Sequence, residues 1–343
     1  MDIQKFKQYI FLITENETLD YEQAKSCFEF IMSGEASDIL ISSFLTSLKI
    51  NLMTNGFSSD VIAAGANIMR EKAIKINVPF DSIDIVGTGG DGHNTFNIST
   101  ATAIVLAGTG MNIAKHGNYS ASSKSGSANV LESLGVNILN NVKNVEKCLK
   151  ECGICFFFAP KHHSAMKYVM SVRKELGFST IFNLLGPLSN PGFVKKQMVG
   201  VYSKSLLLPF AQALKKLGST NAWIVCGKDG LDEISTTGKT YCVELKNNQI
   251  NQFEITPEDI GISRVNLKDL QGGNPDENAR EILQLLNGKN GPFRDIVTFN
   301  ASAGLVATGN APNLIAAKKR VEKSIADGHA IKKLNDLINM SNS

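Results

Sequence analysis

The segment from Ile83 to Ala107 constrains the fold of this chain more than any other stretch. A short apolar strand, Ile83–Val86, leads into a loop in which four of the six residues 87–92 are glycine, and an apolar helix follows. Such a loop at a helix N-terminus presents bare backbone N–H groups, which suit a phosphate-rich anion. Asp91 is the exception, because it places a negative charge inside that cradle.

Strands alternate with helices from residue 82 onward, which predicts a parallel sheet covered by helices on both faces. The predicted strands are Ile83–Val86, Met111–Lys115, Ile154–Phe158, Met198–Tyr202 and Ala222–Cys226, with Thr240–Leu245 in a more peripheral hairpin. The predicted helices of this region are Thr100–Ala107, Ser127–Leu134, Val142–Cys152, Leu206–Leu217, Pro312–Asp327 and His329–Asn339.

The first 75 residues carry almost no strand signal. Helices are predicted there at Tyr21–Met32, at Ser37–Leu52, and from a cap at Ser58 or Ser59 to Lys72. The predicted fold class is therefore α/β: a small all-helical N-terminal domain, then a larger α/β domain whose central, mostly parallel sheet is flanked by helices. We expect the domains at 1–76, completed by helices from about 162–180, and at 77–343.

Bulk properties exclude several classes of protein. A net charge of +3 over 343 residues predicts no nucleic-acid partner. No apolar stretch approaches the ~20 residues that span a bilayer, and the first residues do not resemble a secretory signal. We therefore expect a cytoplasmic protein with no membrane partner. Cys152 and Cys155 form a C-x-x-C across the end of a helix and the start of a strand, which favours buried free thiols over a metal site.

The glycine loop matches two known phosphate motifs only in part. Gly87, Gly89 and Gly92 give a literal G-x-G-x-x-G, but no acidic residue lies between His93 and Leu131 to bind a ribose, as a dinucleotide fold requires. No Gly-Lys-Ser/Thr follows, so a P-loop is excluded as well.

Potential anion donors fill this acid-free stretch instead. They are Ser99, Thr100, Lys115, His116, Asn118, Ser120, Ser122, Ser123, Lys124 and Ser127, the last of which is expected to cap a helix. Ligands of open parallel sheets bind beyond the carboxyl ends of the strands. Donors at two neighbouring strand ends predict an anion with more than one phosphate.

Asp91 becomes intelligible if a cation bridges it to the phosphates. Mg²⁺ is the usual bridge, held by one or two carboxylates together with phosphates and waters. Asp232 and Glu233 follow the strand Ala222–Cys226 and should lie at the same edge of the sheet. The sequence thus predicts a magnesium-bound, phosphate-rich substrate.

Seven sequence blocks carry a family resemblance. They are Gly87-Thr-Gly-Gly-Asp91, Asn97-Ile-Ser-Thr100, Lys115-His-Gly-Asn118, Ser123-Lys-Ser-Gly-Ser127, His162-His-Ser-Ala-Met-Lys167, Phe182-Asn-Leu-Leu-Gly-Pro-Leu-Ser-Asn-Pro191 and Gly230-Leu-Asp-Glu233. In this order, over nearly the whole chain, they resemble the anthranilate phosphoribosyltransferase family of tryptophan biosynthesis, which shares its fold with pyrimidine nucleoside phosphorylases.

The resemblance implies a pentosyl transfer. The amine of anthranilate would displace pyrophosphate from C1 of 5-phosphoribosyl-1-pyrophosphate (PRPP), giving N-(5-phosphoribosyl)anthranilate. It implies Mg²⁺ as cofactor, with two ions per subunit, and a homodimer formed through the helical domain. The catalytic residues would be Asp91, Lys115 and His163, and the metal ligands Ser99, Asp232 and Glu233.

The resemblance also implies two sets of substrate-binding residues. PRPP would be surrounded by Gly87, Gly90, Asp91, Thr95, Asn97, Ile98, Ser99, Thr100, Lys115, His116, Gly117, Asn118, Tyr119, Ser120, Ala121, Ser122, Ser123 and Ser127. Anthranilate would contact Gly87, Asn118, His163 and Arg173. A helix predicted at Ser164–Leu176 would place Arg173, whose planar fork suits a carboxylate, about 80° around the axis from His163.

Some positions depart from the family pattern, and two other functions stay open. Tyr119 and Ser179 stand where the family often has Arg, Asn129 where it has Asp, and Ser164 where it has Pro. A nucleoside phosphorylase would use inorganic phosphate and release a nucleobase. A non-catalytic relative that binds nucleic acid would show a basic face and a degraded metal site.

Overall fold

The computed structural model describes residues 1–120 and 124–343. Four helices form its N-terminal part: α1 Ile3–Thr14, α2 Tyr21–Met32, α3 Asp38–Asn55 and α4 Ser59–Glu71. The side chains of Asp20, Ser37 and Ser58 accept backbone N–H groups at the starts of α2, α3 and α4. These caps satisfy backbone donors that a helix start leaves unpaired. Helix α2 has the predicted bounds at both ends.

One twisted sheet forms the centre of the larger part. Its strands are β1 Ile83–Gly87, β2 Ile113–Gly117, β3 Ile154–Phe158, β4 Lys196–Gly200, β5 Asn221–Gly227, β6 Thr240–Lys246 and β7 Gln249–Ile255. In the described residues they lie in the order β3-β2-β1-β4-β5-β6-β7. The first five are parallel, whereas β6 and β7 form an antiparallel hairpin at the edge. The predicted fold class is confirmed.

Helices cover both faces of the sheet. They are α5 Ile98–Gly108, α6 Ser127–Ser133, α7 Val142–Cys152, α8 Ala159–His162, α9 Lys167–Leu176, α10 Ile181–Leu185, α11 Leu207–Lys216, α12 Pro275–Leu286, α13 Pro292–Ala307, α14 Leu314–Ala326 and α15 His329–Ser341. The sequence patterns missed α1, α8, α10, α12 and α13 as individual helices. The cap of α6 is Gly126, so the prediction that Ser127 caps this helix was wrong.

Two apolar cores lie on opposite faces of the sheet. One contains α5, α13 and α15, and the other joins the N-terminal helices to strands β4, β5 and β6. The six cysteines are buried free thiols, as predicted. Within residues 1–120 and 124–343, none of the helices has the length and apolarity that crossing a bilayer requires.

The backbone ladder between β1 and β2 is interrupted, although the two strands stay adjacent. In the described residues their register is limited to Ile83 opposite Ile113, whereas β1 pairs with β4 along its whole length. Side chains replace the missing ladder: Asp84 Oδ1 accepts the N–H of His116 (3.1 Å), and Lys115 Nζ donates to Ile85 O (2.8 Å). Side-chain hydrogen bonds therefore join β1 to β2 beyond this split in the backbone ladder.

Asn190 completes the split. Its Nδ2 donates both to Asp84 Oδ2 and to Ala114 O, each at 2.8 Å. Burial raises the pKa of Asp84 to about 6, opposed by the nearby Lys115 ammonium and the Asn190 hydrogen bond. A carboxylate inside an otherwise apolar strand is thus held by a cation and an amide, as burial of a charge requires.

Candidate active site

Acidic side chains from two loops meet beyond the carboxyl ends of β1 and β5. Asp232 Oδ2 accepts the N–H of Gly89 at 2.6 Å, and Asp91 lies beside the same carboxylate. Burial, together with the charge of Asp91, raises the pKa of Asp232 to about 7. Glu233 follows directly and accepts the backbone N–H of Ser99. The predicted meeting of these residues at one edge of the sheet is what the structure shows.

Two glycines allow this loop to lie against the sheet. A Cβ on Gly200, the last residue of β4, would stand 1.5 Å from the carbonyl oxygen of Asp232. A Cβ on Gly87, the last residue of β1, would stand 2.6 Å from Asp232 Oδ2. Contacts under 3.0 Å are essentially never seen for real Cβ atoms. Because Gly87 and Gly200 have no side chain, Asp232 can occupy this position.

Lys115 places a cation next to the carboxylates. Its Nζ donates to Ile85 O at 2.8 Å and to Ser99 Oγ at 3.3 Å. Burial lowers the pKa of Lys115, and the charges of Asp84 and Glu233 oppose that effect. The ammonium is thereby fixed between a structural carboxylate below it and the acidic cluster above it.

The oxygen donors of the cluster fit Mg²⁺. Burial and the repulsion of Asp232 raise the pKa of Glu233 well above its usual value, which reflects acidic charge that Lys115 alone does not neutralise. Within the described residues, no group of three or more His, Cys, Asp or Glu side chains is arranged to hold a metal. Mg²⁺ needs no such cage, because it retains waters and phosphate ligands besides one or two carboxylates. Ser99, Asp232 and Glu233 could therefore hold substrate-bound Mg²⁺.

The predicted phosphoribosyl-binding residues surround this cluster. Gly90 and Asp91 lie in the loop after β1, Ile98 to Thr100 form the first turn of α5, and Lys115 to Gly117 end β2. The hydroxyl oxygens of Thr88 and Thr100 are buried without a hydrogen-bond partner among the described groups. Ala121, Ser122 and Ser123 lie outside the described residues.

Several of these residues also organise the loop that follows β2. Asn97 Oδ1 accepts from Ser125 Oγ (3.1 Å) and from Asn278 Nδ2 (2.9 Å). Asn129 Oδ1 accepts the N–H groups of Ser120 (3.3 Å) and Gly126 (3.0 Å). The Asn129 amide thus holds the two ends of the loop together.

Further predicted residues make contacts of their own. Ser127 Oγ donates to Asn118 O at 3.2 Å, and Thr95 forms an isolated bridge with Gln271. The Tyr119 hydroxyl donates to Glu132 at 3.1 Å. The Tyr119 ring packs edge-on against Phe158, with the ring centroids 5.0 Å apart. Both groups fix Tyr119 at the edge of the loop.

Histidines line the opposite side of the β2 terminus. The rings of His116 and His163 lie 5.2 Å apart. Burial lowers the pKa of His163 to about 4, and the neighbouring His162 contributes. Both ring nitrogens of His163 are buried with no hydrogen-bond partner among the described groups. His163 is therefore a neutral imidazole.

Arg173 lies on α9, and the predicted helix Ser164–Leu176 forms with a 3₁₀ turn as its first three residues, so the angle of about 80° that an unbroken helix would set between His163 and Arg173 does not apply. The chain turns at His163 (φ −111°, ψ 61°), passes through a 3₁₀ turn, and begins α9 only at Lys167. Arg173 Nη2 donates to Asn183 Oδ1 at 3.2 Å, and its guanidinium lies 5.8 Å from the Phe182 ring. Burial lowers its pKa. Its hydrogen-bond partners are neutral, which suits binding of an anionic ligand.

Sequence reasoning missed the residues that hold the site in place. Asp84, His93, Asn190 and Asp229 are bound to backbone groups of the site but lie outside the predicted set. The only signal for Asp84 is a carboxylate in the middle of an apolar strand. His93 and Asp229 each flank a predicted acidic residue by two or three positions.

A polar cavity of about 250 Å³ lies elsewhere, between α13 and α14. Its charged lining residues are Arg294, Asp295, Lys318 and Glu322. Lys318 pairs with Glu322 at 3.6 Å and donates to a backbone carbonyl, while Arg294 donates to Gly288 O. Two cations and two carboxylates balance here, so a polyphosphate gains little from this cavity.

Comparison with known proteins identifies the family of this chain. The glycosyl transferase family α/β domain matches residues 80–331, and its helical bundle domain matches residues 7–73. Anthranilate phosphoribosyltransferase of Parvibaculum lavamentivorans is 46% identical over 337 residues, 98% of either chain. The Thermus thermophilus enzyme superimposes with a TM-score of 0.91 at 37% identity, covering 98% of this chain and 99% of that one.

A structure solved with ligands is similar as well. The Saccharomyces cerevisiae anthranilate phosphoribosyltransferase, in complex with PRPP and Mg, has a TM-score of 0.90 at 30% identity and covers 99% of both chains. The resemblance drawn from the seven sequence blocks is confirmed. Matched in sequence over nearly its whole length, and in fold from the helical bundle to the α/β domain, the chain belongs to the anthranilate phosphoribosyltransferase family of glycosyltransferase enzymes.

Proposed function

We propose that the chain transfers the phosphoribosyl group of PRPP to the amine of anthranilate and releases pyrophosphate. The observation that carries this proposal is the cluster of Asp91, Asp232 and Glu233 with Ser99 and Lys115 at the split end of the sheet. Acidic groups beside an anion cradle are unfavourable without a bridging cation, and PRPP with Mg²⁺ supplies both. The yeast relative in complex with PRPP and Mg supports the same assignment.

Catalysis would act on the leaving group. Positive charge builds up at the sugar centre as negative charge grows on pyrophosphate. Bound Mg²⁺ would offset that negative charge. The Lys115 ammonium and the N–H groups at the start of α5 would add fixed positive potential at the same place. No covalent nucleophile is required.

On the acceptor side, Arg173 would bind the carboxylate of anthranilate and orient its amine. Its guanidinium is paired only with an amide oxygen and a thioether among the described groups, so a carboxylate ligand would supply the missing anion. Neutral His163 would receive the amine proton during or after loss of pyrophosphate. Gly87 and Asn118, which end β1 and follow β2, would line the space between the two substrates.

The test is the loss of anthranilate fluorescence on addition of PRPP. Wild type should turn over only with Mg²⁺, and Asp232→Ala should lose most of that activity. Asp259→Asn serves as a control, because this exposed carboxylate caps a turn far along the chain. Absence of turnover by folded, metal-replete wild type would refute the proposal, and phosphate-dependent cleavage of thymidine or uridine would replace it with a phosphorylase.

Two Mg²⁺ ions per subunit are proposed because three carboxylates share the site. Asp232 lies beside Asp91 at Gly89, and its charge also acts on Glu233, which is next to Ser99 and Lys115. Titration with Mn²⁺ in the presence of pyrophosphate, followed by electron paramagnetic resonance, should count two bound ions. A stoichiometry of one would contradict this part.

A homodimer through the helical domain is proposed from exposed apolar side chains. Ile39, Ile50 and Met53 lie 61–78% exposed on one side of α3, since spacings of 11 and 14 residues return to the same face. Phe11 on the adjacent α1 is 62% exposed. Light scattering should report a dimer that Ile50→Glu dissociates, while Phe80→Glu, at a site 81% exposed outside these helices, leaves it intact. A monomeric wild type would refute it.

The division into domains at 1–76 and 77–343 is also proposed, with residues from about 162–180 completing the first. Tyr168 of α9 packs over Gly34, just after the end of α2. Limited proteolysis should cut first between about residues 73 and 82.

We also propose that the enzyme is cytoplasmic, because six buried free thiols suit a reducing compartment. Cell fractionation tests this.

A further inference from the structure

The segment that follows β5 is shaped by one carboxylate. Asp229 Oδ1 accepts the N–H of Leu231 at 3.1 Å, and its Oδ2 accepts the hydroxyls of Ser235 (2.8 Å) and Thr237 (2.6 Å). Asp232 and Glu233 lie between these points of attachment. Asp229 therefore closes the loop that carries both acidic residues.

The packing around Asp229 leaves it little freedom. A Cβ on Gly227 would stand 2.2 Å from Asp229 Oδ1, so the carboxylate lies directly over the end of β5. Beyond Glu233, the side chain of Asn300 on α13 accepts the N–H of Ile234 (2.9 Å) and donates to its carbonyl (2.8 Å). The acidic pair is thus held from both ends.

His93 joins this segment to the glycine loop. Its Nε2–H donates to the carbonyl oxygen of Asp229 at 3.0 Å, since a carbonyl oxygen can only accept. Its backbone N–H donates to Asp91 Oδ1 at 3.0 Å. One residue therefore links Asp91 in the first loop to the turn that presents Asp232 in the second.

We propose that Asp229 and His93 are positioning residues for metal-bound pyrophosphate. Carboxylates that share a site repel one another and separate unless a scaffold holds them. The Asp229 hydrogen bonds and the His93 link keep the three acidic groups in place before ligand arrives, so ordering costs less on binding. This inference rests on the proposed role of Asp232 and Glu233 in binding Mg²⁺.

Asp229→Asn is the principal test, and the probe is inorganic pyrophosphate with saturating Mg²⁺, titrated calorimetrically. The amide keeps the shape of the side chain but loses charge and part of its accepting capacity. We expect the Kd to rise by about 10–100-fold, the range seen when residues behind metal ligands are changed. Asp259→Asn is the matched control: the same substitution at a carboxylate that also caps backbone, at Thr256, should leave the Kd unchanged.

His93 supplies a second test that survives a folding failure of Asp229→Asn. His93→Ala removes the donor to Asp229, whereas His93→Gln can place an amide N–H at the same position. The Kd for Mg²⁺-pyrophosphate should rise about tenfold in the alanine variant and return towards wild type in glutamine. A purely structural role would lower the unfolding temperature of both variants without this recovery of affinity.

The outcomes separate the two proposals. If wild type binds Mg²⁺-pyrophosphate and folded Asp229→Asn binds it equally well, the positioning role is refuted while the proposed function stands. If wild type neither binds it nor consumes anthranilate, the proposed function fails and the positioning role fails with it. A weakened Kd in Asp229→Asn and in His93→Ala, with control affinity intact, supports both.

Discussion

Gly87→Ala is the sharpest perturbation of the acidic cluster, because its added methyl group points at one side chain. The three nearest atoms to the new Cβ all belong to Asp232, at 2.6 Å (Oδ2), 3.1 Å (Cγ) and 3.4 Å (O). Ordinary contact begins at 3.4 Å, so the carboxylate oxygen must move by about 0.8 Å. The same oxygen accepts the N–H of Gly89 at 2.6 Å, and that bond is lost.

The size of the effect follows from this displacement. Moving a catalytic group by about 1 Å costs on the order of 10²-fold in rate, which corresponds to about 2.7 kcal/mol. We expect kcat/KM for PRPP to fall about 10²-fold, with a higher Mg²⁺ concentration for half-maximal rate. Overpacking lowers the free energy of unfolding by about 1–3 kcal/mol, so the variant remains folded at room temperature.

Initial rates of anthranilate consumption, measured across PRPP and Mg²⁺ concentrations, test this. Gly238→Ala is the control, because a Cβ there meets nothing within 4 Å. Since the methyl group acts through Asp232, adding Gly87→Ala to Asp232→Ala should change the rate less than about twofold. Wild-type kcat/KM in Gly87→Ala, or a full additional loss in the double variant, would refute the reasoning.

Three further predictions concern Lys115, Arg173 and His163. Lys115→Met removes a buried ammonium, so kcat should fall at least about 10²-fold. Urea unfolding should show that the free energy of unfolding falls by about 3–5 kcal/mol. An unchanged kcat would contradict the catalytic role of Lys115. Arg173→Lys keeps the charge without the planar fork, so steady-state kinetics should give an anthranilate KM about tenfold higher, about 1.4 kcal/mol, with the KM for PRPP unaffected. The depressed pKa of His163, about 4, means that the unfolded chain, with its usual pKa near 6.5, gains a proton first as pH falls. The free energy of unfolding therefore falls below about pH 6.5, and between pH 7 and pH 5 it should fall by about 2 kcal/mol less in His163→Gln than in wild type. Equal losses for the two proteins in urea unfolding would contradict this prediction.

Sequence patterns located the elements that local chemistry specifies. Ile154–Phe158 is a continuous apolar run and became β3 with the predicted bounds, and Val142–Cys152 became α7 because its apolar positions follow a helical period and Gly153 ends it. Helix α13 was missed because it is buried nearly all round and carries buried Thr298, Asn300 and Ser302, so it has no polar face to reveal its period.

The candidate site was predictable where topology alone decides proximity. Parallel strands deliver their carboxyl ends to one edge, so Asp91 and Asp232, 141 positions apart, were expected to meet. The relation between His163 and Arg173 could not be predicted, since it depends on a break in the helix. The contacts of Asp229 and His93 are likewise set by loop conformations that no periodicity encodes.

The split between β1 and β2 restricts how this chain can diverge. An ordinary ladder tolerates changes of side chain, because backbone atoms supply its hydrogen bonds. Here the side chains of Asp84, Lys115 and Asn190 supply them. A substitution at any of these three residues therefore leaves a buried backbone group of a neighbour without its hydrogen bond. Variants with altered preference for the leaving group would therefore have to arise in the loops that follow β1 and β5. Asp84, Lys115 and Asn190 can change in evolution only if they are replaced together.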